Sequence, residues 1–131
     1  MATILLIDDE PAVASANRAG LEAHGYQVTL TKSAEEATAA LAQARPDAVV
    51  LEPMIEGPLA GFVYAEQLAR QLGQVPLVLL TRADAELDRA TRRRQDRDGW
   101  TLAARFFEKP IPPALLADEV DHLLHEAGGH R

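Results

Sequence analysis

The sequence contains no cysteine, which excludes both a disulfide framework and a thiolate metal site. Long apolar runs are missing as well: no stretch approaches the roughly 20 residues that a membrane-spanning helix needs. The first ten residues, MATILLIDDE, pass straight from a short apolar run into acids and have none of the layout of a secretory leader. A cytoplasmic protein is therefore expected. Positive charge is also short. Thirteen Lys and Arg stand against 20 Asp and Glu, for a net charge of −7, and a chain of that sign repels nucleic acid in general. No internal repeat and no low-complexity segment stands out.

What is present suits one globular domain. The 131 residues are 47% hydrophobic and 25% charged, enough to build a core of useful size. TILLI (3–7) is a short apolar run of strand type. Pro11 suits the first turn of a helix whose stripe is Val13, Ala16, Gly20 and Leu21, ending at Gly25. YQVTL (26–30) is β-branched and aromatic. Ser33 with Glu36 forms a capping box that opens a helix to about Ala44. DAVVL (47–51) is a third strand. Phe62, Ala65, Leu68, Ala69 and Leu72 stripe a helix to about Gly73. PLVLL (76–80) is a fourth strand, a polar helix is expected from about Ala83 to Gln95, and ARFFE (104–108) is a fifth strand. After Pro110, the residues Leu115, Leu116, Val120, Leu123 and Leu124 stripe a last helix to about Glu126.

A βα unit repeated five times, with strands apolar at nearly every residue, predicts a parallel sheet covered by helices on both faces. Right-handed crossovers make it a doubly wound α/β three-layer sandwich. The working site of such a sheet lies outside the carboxyl ends of its strands. Strand 1 delivers Asp8 and Asp9 to that edge, strand 3 Glu52, strand 4 Thr81, and strand 5 Lys109 with Pro110. Any one of these reads equally well as a cap or a surface charge. Together, three carboxylates, a hydroxyl and an ammonium point to a cation and an anion held side by side.

These residues carry a resemblance. "ILLIDDEP", "PDAVVLEPMIEG", "LLT" and "FFEKP", in that order and spacing, resemble the receiver domains of bacterial two-component response regulators over essentially the whole chain. The resemblance implies a flavodoxin-like (βα)5 fold with a five-stranded parallel sheet of order 2-1-3-4-5. It implies Mg²⁺-assisted transfer of a phosphoryl group from a histidine kinase to an aspartate ending strand 3. Thr81 and Lys109 match the residues that contact the phosphoryl group, and Phe106 matches the switch aromatic. Pro110 matches a proline that the family typically carries in cis. Asp8, Asp9, Glu52 and the backbone carbonyl of Met54 match the Mg²⁺ ligands.

The acceptor position, however, holds Glu52. The extra methylene moves the carboxylate by roughly 1 Å, and misplacement of that order can slow a positioned reaction about a hundredfold. Two readings follow: a permanent partial mimic of the phosphorylated form, or a site that keeps the fold and has lost the chemistry. Both imply an atypical pseudo-receiver and leave Mg²⁺ binding open. Pro53 removes an amide from the following loop, Glu56 stands where the family has proline, and the segment to Gly61 is one residue longer than usual. Arg82 follows Thr81 where the family has a small residue, so its guanidinium either covers the pocket and pairs with an acid or points to solvent.

Between Arg82 and Arg105, seven arginines meet five acids, a net of +2 that leaves −9 on the rest of the chain. That segment reads either as a docking surface for an acidic partner, with Trp100 as an anchor, or as a solvated helix with pairs such as Asp88–Arg92. In receivers the fourth helix, fifth strand and fifth helix form the output and dimer face. His122 and His125, three apart on the last helix, read as a metal clip or as exposed helix residues. Asn17 reads as a polar site residue near the rim or as surface and helix packing. Residues 1–127 are expected to form the receiver-like domain and 128–131 a short tail, with no effector. The expected function is signalling by contact with a histidine kinase, a phosphotransfer protein or another regulator, without ordinary aspartyl phosphorylation and not as an enzyme. The rivals are a phosphorylatable Mg²⁺-dependent regulator and a Mg²⁺-dependent phosphohydrolase.

Overall fold

The computed structural model describes residues 2–52, 58–81, 104–108 and 111–128. Five parallel strands, β1 (Thr3–Ile7), β2 (Gln27–Thr31), β3 (Ala48–Leu51), β4 (Leu77–Thr81) and β5 (Ala104–Glu108), form one sheet of order β2-β1-β3-β4-β5. This is the flavodoxin-like order expected from the sequence. Helices α1 (Pro11–Ala23), α2 (Ala34–Gln43), α3 (Pro58–Leu72) and a C-terminal helix (Pro113–Gly128) connect and cover it. The polar helix expected over 83–95 lies outside the described residues.

The pleat sorts each apolar strand between two cores. Ile4, Leu6, Val50, Val78 and Leu80 face one core with Leu21 of α1 and Leu116 and Val120 of the C-terminal helix. Leu5, Ile7, Val49, Leu51 and Leu79 face the other with Ala37 of α2 and Leu68 and Leu72 of α3. Full burial of β1 and β3 on both sides is why they read as unbroken apolar runs. β2 is an edge strand, and its residues alternate between exposed and half-buried before ending on buried Thr31.

Helix ends follow the local chemistry. His24 caps α1, and Gly25 at φ 92° takes the left-handed position beyond it. Gly25 N–H donates to the Glu22 carbonyl at 2.9 Å and Tyr26 N–H to that of Leu21 at 3.3 Å, a Schellman stop that turns the chain into β2. Gly73, at φ 63°, follows α3 in the same conformation. Ser33 Oγ accepts from Glu36 N–H at 3.1 Å, as a capping box requires, while the Glu36 carboxylate reaches one residue further back to Lys32 N–H at 2.9 Å.

Two details of the helices go beyond the sequence reading. α3 begins at Pro58, a turn before Phe62, the first residue of its apolar stripe; Pro58 fits a first helical turn, but it and Gly61 are weak helix formers that hide this turn in the sequence. The buried stripe of α1 is Ala14, Asn17 and Leu21, and Ala16 is exposed. Alanine is too small for its hydrophobicity alone to say which way it faces.

Candidate functional site at the carboxyl edge of the sheet

β1 and β3 are neighbours, and their last paired residues are Ile7 and Leu51. The next residue on each strand is an acid, Asp8 and Glu52. The ladder continues under them: Glu52 N–H donates to the Ile7 carbonyl at 2.9 Å, and Asp8 N–H to the Thr31 carbonyl of β2 at 3.0 Å. Adjacent strands lie about 4.8 Å apart, so the two carboxylates leave the sheet side by side. Both residues are only 1% exposed. The connection out of β1 goes to one side of the sheet and that out of β3 to the other, which makes this gap the topological switch point.

The start of α1 orients Asp8. Its Oδ1 accepts from Glu10 N–H at 3.0 Å, and the Glu10 side chain makes no capping bond of its own. Asp8 therefore supplies the acceptor that the helix N-terminus calls for, and the positive end of the helix dipole favours its charge. Pro11 at the start of the helix removes one donor from the accounting. Asp9 is exposed beside this pair. Two buried acids with a third at their edge concentrate negative charge that favours a cation among them. Their donor atoms are all oxygen, the set that suits a hard divalent ion such as Mg²⁺.

Thr81 ends β4 and pairs with Glu108, the last residue of β5, so the backbone of both strands reaches the same edge. Phe106 lies within β5, paired with Leu79. Lys109, Pro110, Arg82, Met54, Pro53 and Glu56, all weighed in the sequence, lie outside the described residues, as do Trp100 and the arginines between 82 and 97. Two polar residues are more deeply placed than the sequence indicates. Asn17 of α1 is 2% exposed and its Nδ2 has no hydrogen-bond partner, so it is no surface residue. Thr31, 6% exposed, ends β2 with its hydroxyl 3.5 Å from the Leu6 carbonyl. An Asn at a helical i,i+3/i,i+4 position between Ala14 and Leu21 was the signal for the first. His122 and His125 are exposed on the C-terminal helix, and His122 Nε2 lies 3.2 Å from Glu126 Oε1. Among the described residues, no helix is long and apolar enough to cross a membrane.

Comparison with known proteins converges on this arrangement. The family model of the response regulator receiver domain matches residues 4–121. Protein PilH of Pseudomonas aeruginosa is 29% identical over 126 residues, covering 95% of this chain and 98% of PilH. The alkaline phosphatase synthesis transcriptional regulatory protein PhoP of Bacillus subtilis is 34% identical over 125 residues, and there the chain spans 49% of the relative's length. Among solved structures, a CheY-like response regulator receiver domain protein from Methanospirillum hungatei superposes with a TM-score of 0.81. It is 19% identical, over 100% of this chain and 99% of that one, a likeness of fold. The order of the strands, the acidic switch point and the family match leave one assignment: this chain belongs to the response regulator receiver domain family.

Proposed function

We propose that this receiver acts in a two-component or phosphorelay pathway by protein–protein contact, without ordinary aspartyl phosphorylation. The observation behind the reading is Glu52, 1% exposed at the end of β3 and alongside Asp8. In this reading Glu52 takes the place of the phospho-acceptor. Burial holds its longer side chain in place, so the displacement of roughly 1 Å that the extra methylene gives the carboxylate is not relieved by swinging out to a donor. A single carboxylate carries one charge where a phosphoryl group carries about −1.5 to −2, so any mimicry of the phosphorylated form is partial.

The remaining roles are assigned on the same footing. Thr81 and Lys109 would contact the carboxylate as they would a phosphoryl group, Phe106 would be the switch aromatic, Arg82 would cover the pocket, and Pro110 would set the turn after β5. Mg²⁺, if it binds, would be held by Asp8, Asp9 and Glu52 with the Met54 carbonyl, and would neutralise the acid cluster. The partner would be a histidine kinase, a phosphotransfer protein or another regulator, met in the cytoplasm. A second copy is a further candidate, through the face formed by β5 and the C-terminal helix.

One observation favours a second reading, a phosphorylatable Mg²⁺-dependent regulator: Asp8 is buried and fixed by Glu10 N–H at 3.0 Å with Asp9 beside it, which keeps acidic oxygen donors at the edge where the family binds a divalent ion. Incubation with a small-molecule phosphodonor and Mg²⁺, followed by intact mass measurement, separates the two. The proposal expects no adduct on the natural chain. Stoichiometric addition of one phosphoryl group would overturn it. Glu52→Asp is the companion variant: gain of an adduct locates the block at residue 52, and its continued absence places the block in the Arg82 and Pro53 changes.

A further inference from the structure

At the opposite end of the sheet from Glu52, the chain brings together a second constellation of metal-ligating groups. His24 caps α1, held there by the Gly25 stop. Its Nε2 lies 3.0 Å from Asp118 Oδ1 and 3.5 Å from Asp121 Oδ2. The two aspartates are one turn apart on the C-terminal helix, and one ligand atom from each of the three residues falls within 4.8 Å of the others. Tyr26 donates its hydroxyl to Asp121 Oδ1, which leaves Oδ2 turned to the imidazole. All three side chains are open to water, at 28%, 66% and 46% exposure for His24, Asp118 and Asp121.

We propose that His24, Asp118 and Asp121 form a site for a borderline transition-metal ion of the Zn²⁺ type, distinct from the acidic edge at Glu52. The argument is geometric and chemical. Zn–N and Zn–O bonds of about 2.1 Å in a tetrahedron set ligand atoms about 3.4 Å apart, and the two observed separations bracket that length. One imidazole nitrogen with two carboxylates is a donor set that suits Zn²⁺, whereas Mg²⁺ takes oxygen alone. Like charges at i,i+3 on a helix repel, and among the described residues the His24 imidazole is the ion-pair partner of both Asp118 and Asp121, charged only when protonated. A divalent cation compensates them more fully. The Tyr26 bond to the non-ligating oxygen is the outer support that metal-bound carboxylates commonly have. The groove beside the site is lined by Ala2, Tyr26, His122 and His125 as well as the two aspartates, so the fourth position is open to water or to a second imidazole. A bound ion would fasten the end of α1 to the C-terminal helix.

The test is calorimetric titration of the whole chain with ZnCl₂, in millimolar Mg²⁺ so that oxygen sites at the other edge are occupied. One saturable site is expected. His24→Ala should weaken it by more than about tenfold, as should Asp118→Asn with Asp121→Asn, and Tyr26→Phe should weaken it by about tenfold, the lower end of outer-shell effects. Zinc should also perturb the His24 imidazole resonances. The proposal is overturned if no zinc binds, if binding survives His24→Ala and is lost in Asp9→Asn, or if it depends only on His122→Gln with His125→Gln. His24, Asp118, Asp121, His122 and His125 carry solvent-exposed side chains, and Tyr26→Phe keeps the ring that packs on the core and loses only the hydroxyl, so the variants are expected to fold, and circular dichroism checks that they do.

Discussion

Gly20→Ala tests how closely the two helices on one face of the sheet are joined. A Cβ at Gly20 would lie 2.8 Å from Pro113 Cβ, 2.9 Å from the Pro113 carbonyl oxygen and 3.0 Å from its carbonyl carbon. Two of these neighbours are backbone, at the first turn of the C-terminal helix, and cannot swing aside. Carbon atoms rest about 3.5–4.0 Å apart, so α1 and that helix must separate locally by more than half an ångström. Overpacking of this kind typically destabilises by about 1–3 kcal/mol. Alanine's better helix propensity returns about 1 kcal/mol. The net expectation is a loss of up to about 2 kcal/mol, read in urea unfolding as a lower midpoint at unchanged slope. In a domain of this size that lowers Tm by up to about 8 °C. Gly25→Ala is the contrasting variant: a Cβ there meets nothing within 4 Å, but φ is +92°, so its loss of about 1–2 kcal/mol is conformational alone. If Gly20→Ala stabilised the chain by the full propensity gain, the contact with Pro113 would not be tight and the reasoning would fail. The same joint sets His24 against Asp118 and Asp121, so Gly20→Ala should also weaken zinc binding where Gly25→Ala acts through the cap.

Two further outcomes follow from single side chains. Ser33→Ala removes the acceptor for Glu36 N–H and should destabilise by about 1 kcal/mol in chemical denaturation; no change would mean that the Lys32–Glu36 bond alone fixes the start of α2. Asn17→Leu replaces a buried amide whose Nδ2 lacks a partner by an apolar group of similar shape. Relief of an unmet donor is worth about 1–3 kcal/mol, so thermal unfolding should show a gain in Tm; a loss of stability would mean that the amide is satisfied in the folded state and would refute the reasoning.

Much of this molecule is decided within short stretches of sequence. Parallel strands buried on both faces must be apolar throughout, so TILLI, AVVL and LVLL declare themselves, and a helix that must stop in a left-handed residue declares Gly25 and Gly73. The acids Asp8 and Glu52 are legible too, because each directly ends such a run. Properties that depend on partners distant in the chain are not. β2 alternates because it became an edge, Ala16 faces water because Asn17 and Leu21 face the sheet, and Gly20 is required because Pro113 abuts it. His24 lies 94 residues from Asp118, and no spacing rule connects them; the last helix by itself offered only His122 and His125. Local periodicity reports whether a residue is buried in its own element, whereas which residues then share a site is set by strand order and helix packing, and those are fixed only when the whole sheet closes on its two cores.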